Sequence, residues 1–109
     1  MIERRNIRDN EHTLIAFLLA QLGVLETEYP ISTQVYEYEG GKMGSISLGE
    51  DDATYDSDLI QVEYIDTDQT PVVITLTKDT NNRLLDLDFW KTDFSKLIEY
   101  PRPADLIFS

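Results

Sequence analysis

Val72-Val73-Ile74-Thr75-Leu76-Thr77, the turn Asp79-Thr80-Asn81-Asn82, and Leu85-Asp86-Leu87-Asp88-Phe89-Trp90 decide how this chain folds. Apolar residues recur at every second position on both sides of the turn: Val72, Ile74 and Leu76 before it, Leu85, Leu87 and Phe89 after it. Successive side chains of an extended chain point to opposite faces, so this period marks two strands that each present one apolar face. Asn and Asp suit the tight connection, and the unit reads as an antiparallel hairpin. Working backwards, Ile60, Val62 and Tyr64 alternate with Gln61 and Glu63, and Asp66 to Pro71 supplies a turn. A third strand therefore joins the meander.

Further out, Val35, Tyr36 and Tyr38 precede Gly40-Gly41, and Met43, Ile46 and Leu48 follow it, which predicts a second hairpin. Between the two hairpins lies Glu50-Asp51-Asp52-Ala53-Thr54-Tyr55-Asp56-Ser57-Asp58, read as a polar loop whose like charges repel. Near the start, Leu14, Phe17, Leu18 and Leu22 fall at helical spacing, with Ile15 and Leu19 widening the stripe. An amphipathic helix over residues 10–22 follows, capped by Asp9 or Asn10 and ended by Gly23. Asp93 to Leu97 reads as a short helical turn. Pro101 and Pro103 keep the tail extended, and Leu106, Ile107 and Phe108 make it dock. The expected fold is α+β, one domain over residues 1–109, with the N-terminal helix packed on an antiparallel sheet of about five strands.

Composition narrows the function classes. The chain has 109 residues and a formal charge of −12, yet 41% of it is hydrophobic, so the acidity lies on the surface of a folded core. Such a field repels nucleic acid and anionic lipid and attracts basic proteins. Without cysteine there are no disulfides, thiolate metal sites or cysteine nucleophiles. Arg4, Arg5 and Arg8 precede the apolar stretch Leu14 to Leu22, but Asp9, Glu11 and His12 intervene and no cleavage pattern follows. A secretory signal is rejected and a cytoplasmic location expected.

Few residues suggest chemistry. His12, the only histidine, sits on the polar side of the helix with no second histidine to complete a metal site. No Gly-x-Ser-x-Gly elbow presents a nucleophile. The 50–58 loop lacks the glycine and closing glutamate of a calcium-binding EF-hand, and Asp66 and Asp68 read as a solvated turn. Gly40, Gly41 and Gly44 near Lys42 do not have phosphate-loop spacing. Asp86 and Asp88 share a strand face with Trp90. As paired carboxylates they suit acid–base catalysis or magnesium binding, but no phosphate cradle or basic clamp accompanies them. With Asp93 nearby, Asp86, Asp88 and Trp90 make a better interaction surface: an aromatic anchor ringed by negative charge, suited to a basic protein. No cofactor, metal or enzymatic activity is expected.

Gly41-Lys42-Met43-Gly44-Ser45-Ile46 and Leu85-Asp86-Leu87-Asp88-Phe89-Trp90-Lys91-Thr92-Asp93-Phe94-Ser95-Lys96-Leu97, with the opening helix, resemble a family of small bacterial proteins of unknown function. That family closes with a similar acidic, tryptophan-bearing strand and an Asp-Phe-Ser turn, and has no activity to transfer. Such proteins are similar in size, charge and architecture to immunity proteins, which neutralise bacterial toxins, many of them basic nucleases. The expected function is therefore non-catalytic protein binding, with inhibition of a basic toxin as its sharpest form. The alternatives are a ligand- or metal-binding domain or enzyme using Asp86 and Asp88, and a structural homodimer subunit.

Overall fold

The computed structural model describes residues 3–38 and 42–108. The helix, α1, runs Asp9–Gln21. Its start differs from the expectation: Arg8, not Asp9 or Asn10, occupies the cap position, because the Glu11 carboxylate accepts the Arg8 backbone N–H at 2.8 Å. Its end is as expected. Gly23 has φ +73°, and the N–H groups of Gly23 and Val24 donate to the carbonyls of Ala20 and Leu19, closing a Schellman motif. Leu14, Ile15, Leu18 and Leu19 are fully buried, whereas Leu22 at the rim of the stripe is 37% exposed.

The sheet has six strands rather than about five: β1 (Arg5–Asn6), β2 (Gln34–Glu37), β3 (Ile46–Ser47), β4 (Tyr55–Ile65), β5 (Pro71–Asp79) and β6 (Leu84–Lys91), in the order β1-β2-β3-β6-β5-β4 with every pairing antiparallel. The unforeseen strand, β1, is two residues long and polar, so it carries no period. It exists because Arg5 and Asn6 pair with Val35 and Gln34. The meander β4-β5-β6 follows the alternation described above, and β2 pairs with β3 as the second hairpin predicts, although β3 keeps only Ile46–Ser47 of the expected run. The Gly40-Gly41 connection lies outside the described residues.

Two further expectations are corrected. Tyr55 to Asp58 belong to β4 rather than to a loop, since irregularities of register at residues 55–60 and an ion pair of 3.0 Å between Lys78 and Asp56 accommodate their charges. Asp93 to Leu97 form a tight turn and not a helix. Asp93 Oδ1 accepts from Ser95 N–H and Oγ–H, and Phe94 takes φ +63°, which breaks any helical run.

Register sorts the sheet into two faces. Ile46, Leu87 and Leu76 form one cross-strand row, and Phe89, Ile74 and Val62 the next. These rows meet α1 in the buried cluster that forms the core. The tail docks, as its apolar residues suggested: Leu106 is buried, Ile107 exchanges backbone hydrogen bonds of 2.7 and 3.1 Å with Glu63 on the outer edge of β4, and Phe108 lies 6.1 Å from Phe17. Among the described residues, no helix is long and apolar enough to cross a membrane.

Candidate functional site: the open face of the sheet

The face away from α1 carries the alternate residues. Gln61, Thr75 and Asp88 form one row across β4, β5 and β6, and Glu63, Val73 and Trp90 the next, while Asp86 stands opposite Ser47 of β3. Strand period thus brings Asp86, Asp88 and Trp90 onto one surface. Asp93 is exposed in the turn beyond β6, where its carboxylate accepts from Ser95, and it does not line the groove beside them. The next residue takes its place: Phe94 stands edge-on to Trp90, ring centroids 5.0 Å apart and planes at 76°. Both rings are exposed, Trp90 by 54% and Phe94 by 56%.

This pair helps line a groove of about 890 Å³, with Tyr38, Lys42, Ser45, Gln61, Thr75 and Asp88 also among its walls. Two hydroxyl side chains complete the backbone pairing of β6 where neighbouring strands fall short. Ser45 Oγ accepts the Phe89 N–H at 2.8 Å and donates to the Phe89 carbonyl. Thr77 Oγ1 accepts the Asp86 N–H at 3.0 Å, where the β5–β6 register shifts.

The two aspartates differ in their surroundings. Asp86 is half-buried and accepts a hydrogen bond of 2.7 Å from the Tyr38 hydroxyl. Burial raises its pKa, and the Tyr38 bond partly restores it. Burial, together with the neighbouring Tyr36 hydroxyl and the Asp86 carboxylate, holds the Tyr38 phenol far above its ordinary range and therefore protonated. Asp88 is also half-buried, but among the described residues neither a donor nor a cation reaches its carboxylate. Burial first, then the charges of Asp86 and of Asp58 on β4, push it up to about 6.

The turn that presents Phe94 is anchored from beneath. Lys91, the inward neighbour of Trp90, is fully buried, with Nζ 2.9 Å from Asp66 Oδ2, 2.8 Å from Asp68 Oδ2 and 3.0 Å from the Lys96 carbonyl. Asp66 also accepts the N–H groups of Thr67, Ile98 and Glu99. Asp66 is therefore not part of a solvated turn, as expected from its polarity, but the buried centre of a hydrogen-bonded hub, with Lys91 as its cation. Burial alone would raise its pKa; the Ile98 N–H, Lys91 and the remaining N–H donors outweigh this and hold it below the usual carboxylate range. One signal pointed here, since Lys91 continues the inward series Leu85, Leu87, Phe89 and a lysine on an apolar face requires a buried partner.

The other candidates stay apart from this site. His12 is exposed, its Nε2 3.5 Å from Glu26. Asp51 of the acidic segment pairs with Arg4 at 2.7 Å. Among the described residues, no group of three or more His, Cys, Asp or Glu side chains could hold a metal ion.

A family model described as a domain of unknown function (DUF6984) matches residues 4–101. The chain belongs to the DUF6984 family. The matched span includes α1, all six strands, the groove and the Lys91–Asp66 hub. Membership accords with the resemblance to an uncharacterised family; it carries no activity and no link to toxin immunity. No curated protein and no solved structure matches the chain.

Proposed function

We infer that this DUF6984 domain is a non-catalytic binding module that docks a basic protein on the open face of its sheet. The supporting observation is the pairing of an exposed aromatic anchor, Trp90 against Phe94, with the half-buried Asp88 carboxylate beside it. Aromatic anchors in partly desolvated grooves carry much of the energy of protein interfaces, and a net charge of −12 favours encounter with cations. Within this class, inhibition of a basic toxin fits the charge, because an acidic face can occlude a site built for a polyanion. An intracellular role suits such a partner.

Immobilised wild type and the Trp90→Ala/Asp88→Asn variant, exposed side by side at low salt to extract from the source organism, test the reading. A basic protein retained by the wild type, eluted by salt, identified, and lost on the variant is the expected result. Equal retention by both, or no basic protein on either, overturns it.

A second reading rests on Asp88 alone: a carboxyl titrating near 6 suits general acid–base catalysis. Turnover by the purified chain that disappears with Asp88→Asn would replace the binding reading with this one.

A further inference from the structure

Among the described residues, the carboxylates withdrawn from solvent have protein donors, and the half-buried Asp88 differs from the others in having none. Glu11 is held by the Arg5 guanidinium at 2.7 and 2.9 Å and by the Arg8 N–H. Asp66 has Lys91 and three backbone N–H groups. Asp79 accepts the N–H groups of Asn81 and Arg83, and Asp86 has Tyr38. Asp88 lies in the middle of the open face between Thr75 and the aromatic pair, and the charges acting on it are those of the carboxylates Asp86 and Asp58. A half-buried carboxylate that faces like charges and opens on solvent favours a cation from outside.

The neighbours of Asp88 select the kind of cation. Among the described residues no three His, Cys, Asp or Glu side chains cluster here, and the exposed aromatic pair favours an organic cation. Trp90 is two residues along the same strand, which sets its side chain about 7 Å from that of Asp88 on the same face. Phe94 meets the indole edge-on at 76°, and the indole remains 54% exposed, open to a stacking group. A planar guanidinium satisfies both neighbours at once. Its flat face stacks on the indole while its N–H fork reaches the carboxylate, whereas an ammonium is a compact, strongly hydrated charge that stacks poorly.

We propose that the groove receives an arginine side chain of the partner protein, stacked on Trp90 and paired with Asp88. The proposal rests on the docking reading above and names the group recognised. Lys42 and Tyr38 also line the groove, while the carboxylates of Asp58 on β4 and Asp86 on β6, which act on Asp88, add attraction for a cation. Because Asp88 is pushed up to about 6, arginine binding weakens as acid neutralises it below that pH.

Capped Gly-Arg-Gly, Gly-Lys-Gly and Gly-citrulline-Gly peptides, titrated into the intact chain at low salt, test this through Trp90, the only tryptophan. The arginine peptide should perturb its emission saturably, the lysine peptide should bind about fivefold or more weakly, and the neutral citrulline peptide should not bind. Asp88→Asn should weaken the arginine peptide about tenfold, while Asp52→Asn, an equal loss of charge at an exposed residue before β4, should change it little. Circular dichroism checks that both variants are folded. Equal binding of arginine and citrulline, equal binding of arginine and lysine, equal effects of the two substitutions, or no binding at millimolar peptide overturns the arginine pocket. If any of these occurs while a basic protein is still captured through Trp90 and Asp88, the docking surface survives without the pocket; if that capture also fails, both fall.

Discussion

The Nζ of Lys91 lies 2.9 Å from Oδ2 of Asp66, and neither side chain is reached by solvent. Two charges removed from water are tolerated only because each finds further partners: Asp68 and the Lys96 carbonyl for the lysine, three backbone N–H groups for the aspartate. The arrangement joins the β4–β5 turn to β6 and to residues 96–99, so the loop carrying Phe94 is held by a charge pair at its base.

Breaking one half of that pair should be costly. Lys91→Met leaves Asp66 buried without its cation and is expected to lower Tm by roughly 15 °C or more. Replacing both residues, as Lys91→Met/Asp66→Leu, removes the stranded charge and should recover part of the loss. Thermal unfolding followed by circular dichroism separates the outcomes, and a double variant no better than the single one would show that the backbone N–H groups, not the charge, set the cost.

Asp88 should act in the opposite sense. Its pKa is raised in the fold, from 3.8 to about 6, so the folded chain holds this proton more tightly than the unfolded chain does. Ionisation therefore disfavours the native state, with a penalty that grows from pH 3.8 to about 6 and is complete above it. Asp88→Asn should stabilise the protein at pH 7 by on the order of 1 kcal/mol, after allowing for solvent screening of a half-exposed group. Urea unfolding of both forms across this range should show the advantage shrinking toward zero as the pH falls to 4; an advantage independent of pH would refute the electrostatic cause.

Ser45 stands in for a strand that is missing beside the end of β6. Ser45→Ala strands the Phe89 N–H and should cost about 1–3 kcal/mol. The local readout is amide hydrogen exchange, which should accelerate at Phe89 more than at Ile74 on the fully paired β5. Uniform acceleration would instead point to a global effect.

Phe94 sits at φ +63°, a conformation that suits glycine better than a bulky residue. Phe94→Gly gains backbone ease and loses an edge-on aromatic contact of about 0.5–1.5 kcal/mol, so its stability should stay within about 1 kcal/mol of wild type. The Trp90 emission should nonetheless shift to longer wavelength as the indole loses its neighbour. A large drop in stability would mean that Phe94 packs more tightly than its 56% exposure indicates.

The elements legible from the chain are those with a clean period. Val72 to Leu76 and Leu85 to Phe89 alternate without interruption, and register pairs them as the pattern requires. Tyr55 to Asp58 were hidden because strand irregularities break alternation just where the charges fall, and Arg5–Asn6 because a two-residue strand has no period to detect. At the site, Asp86, Asp88 and Trp90 could be grouped by counting in twos along one strand. Tyr38 and Phe94 could not: Tyr38 follows β2, far from β6 in sequence, and Phe94 lies in a turn next to a segment tied down by a distant contact, the Leu97 N–H donating to the Lys42 carbonyl. Asp66 misled because a polar turn and a buried ionic hub have the same composition; only the inward register of Lys91 distinguishes them.

Ile107 occupies the outer side of β4 at Glu63, and β4 is the last strand of the sheet. Trimming the chain before Leu106 would leave the Glu63 amide and carbonyl without strand partners on the evenly paired stretch of β4 from Ile60 to Ile65. Such stretches recruit further chains by backbone pairing. The short apolar tail thus serves colloidal behaviour as well as folding, and a shortened protein should self-associate at concentrations where the intact one stays dispersed.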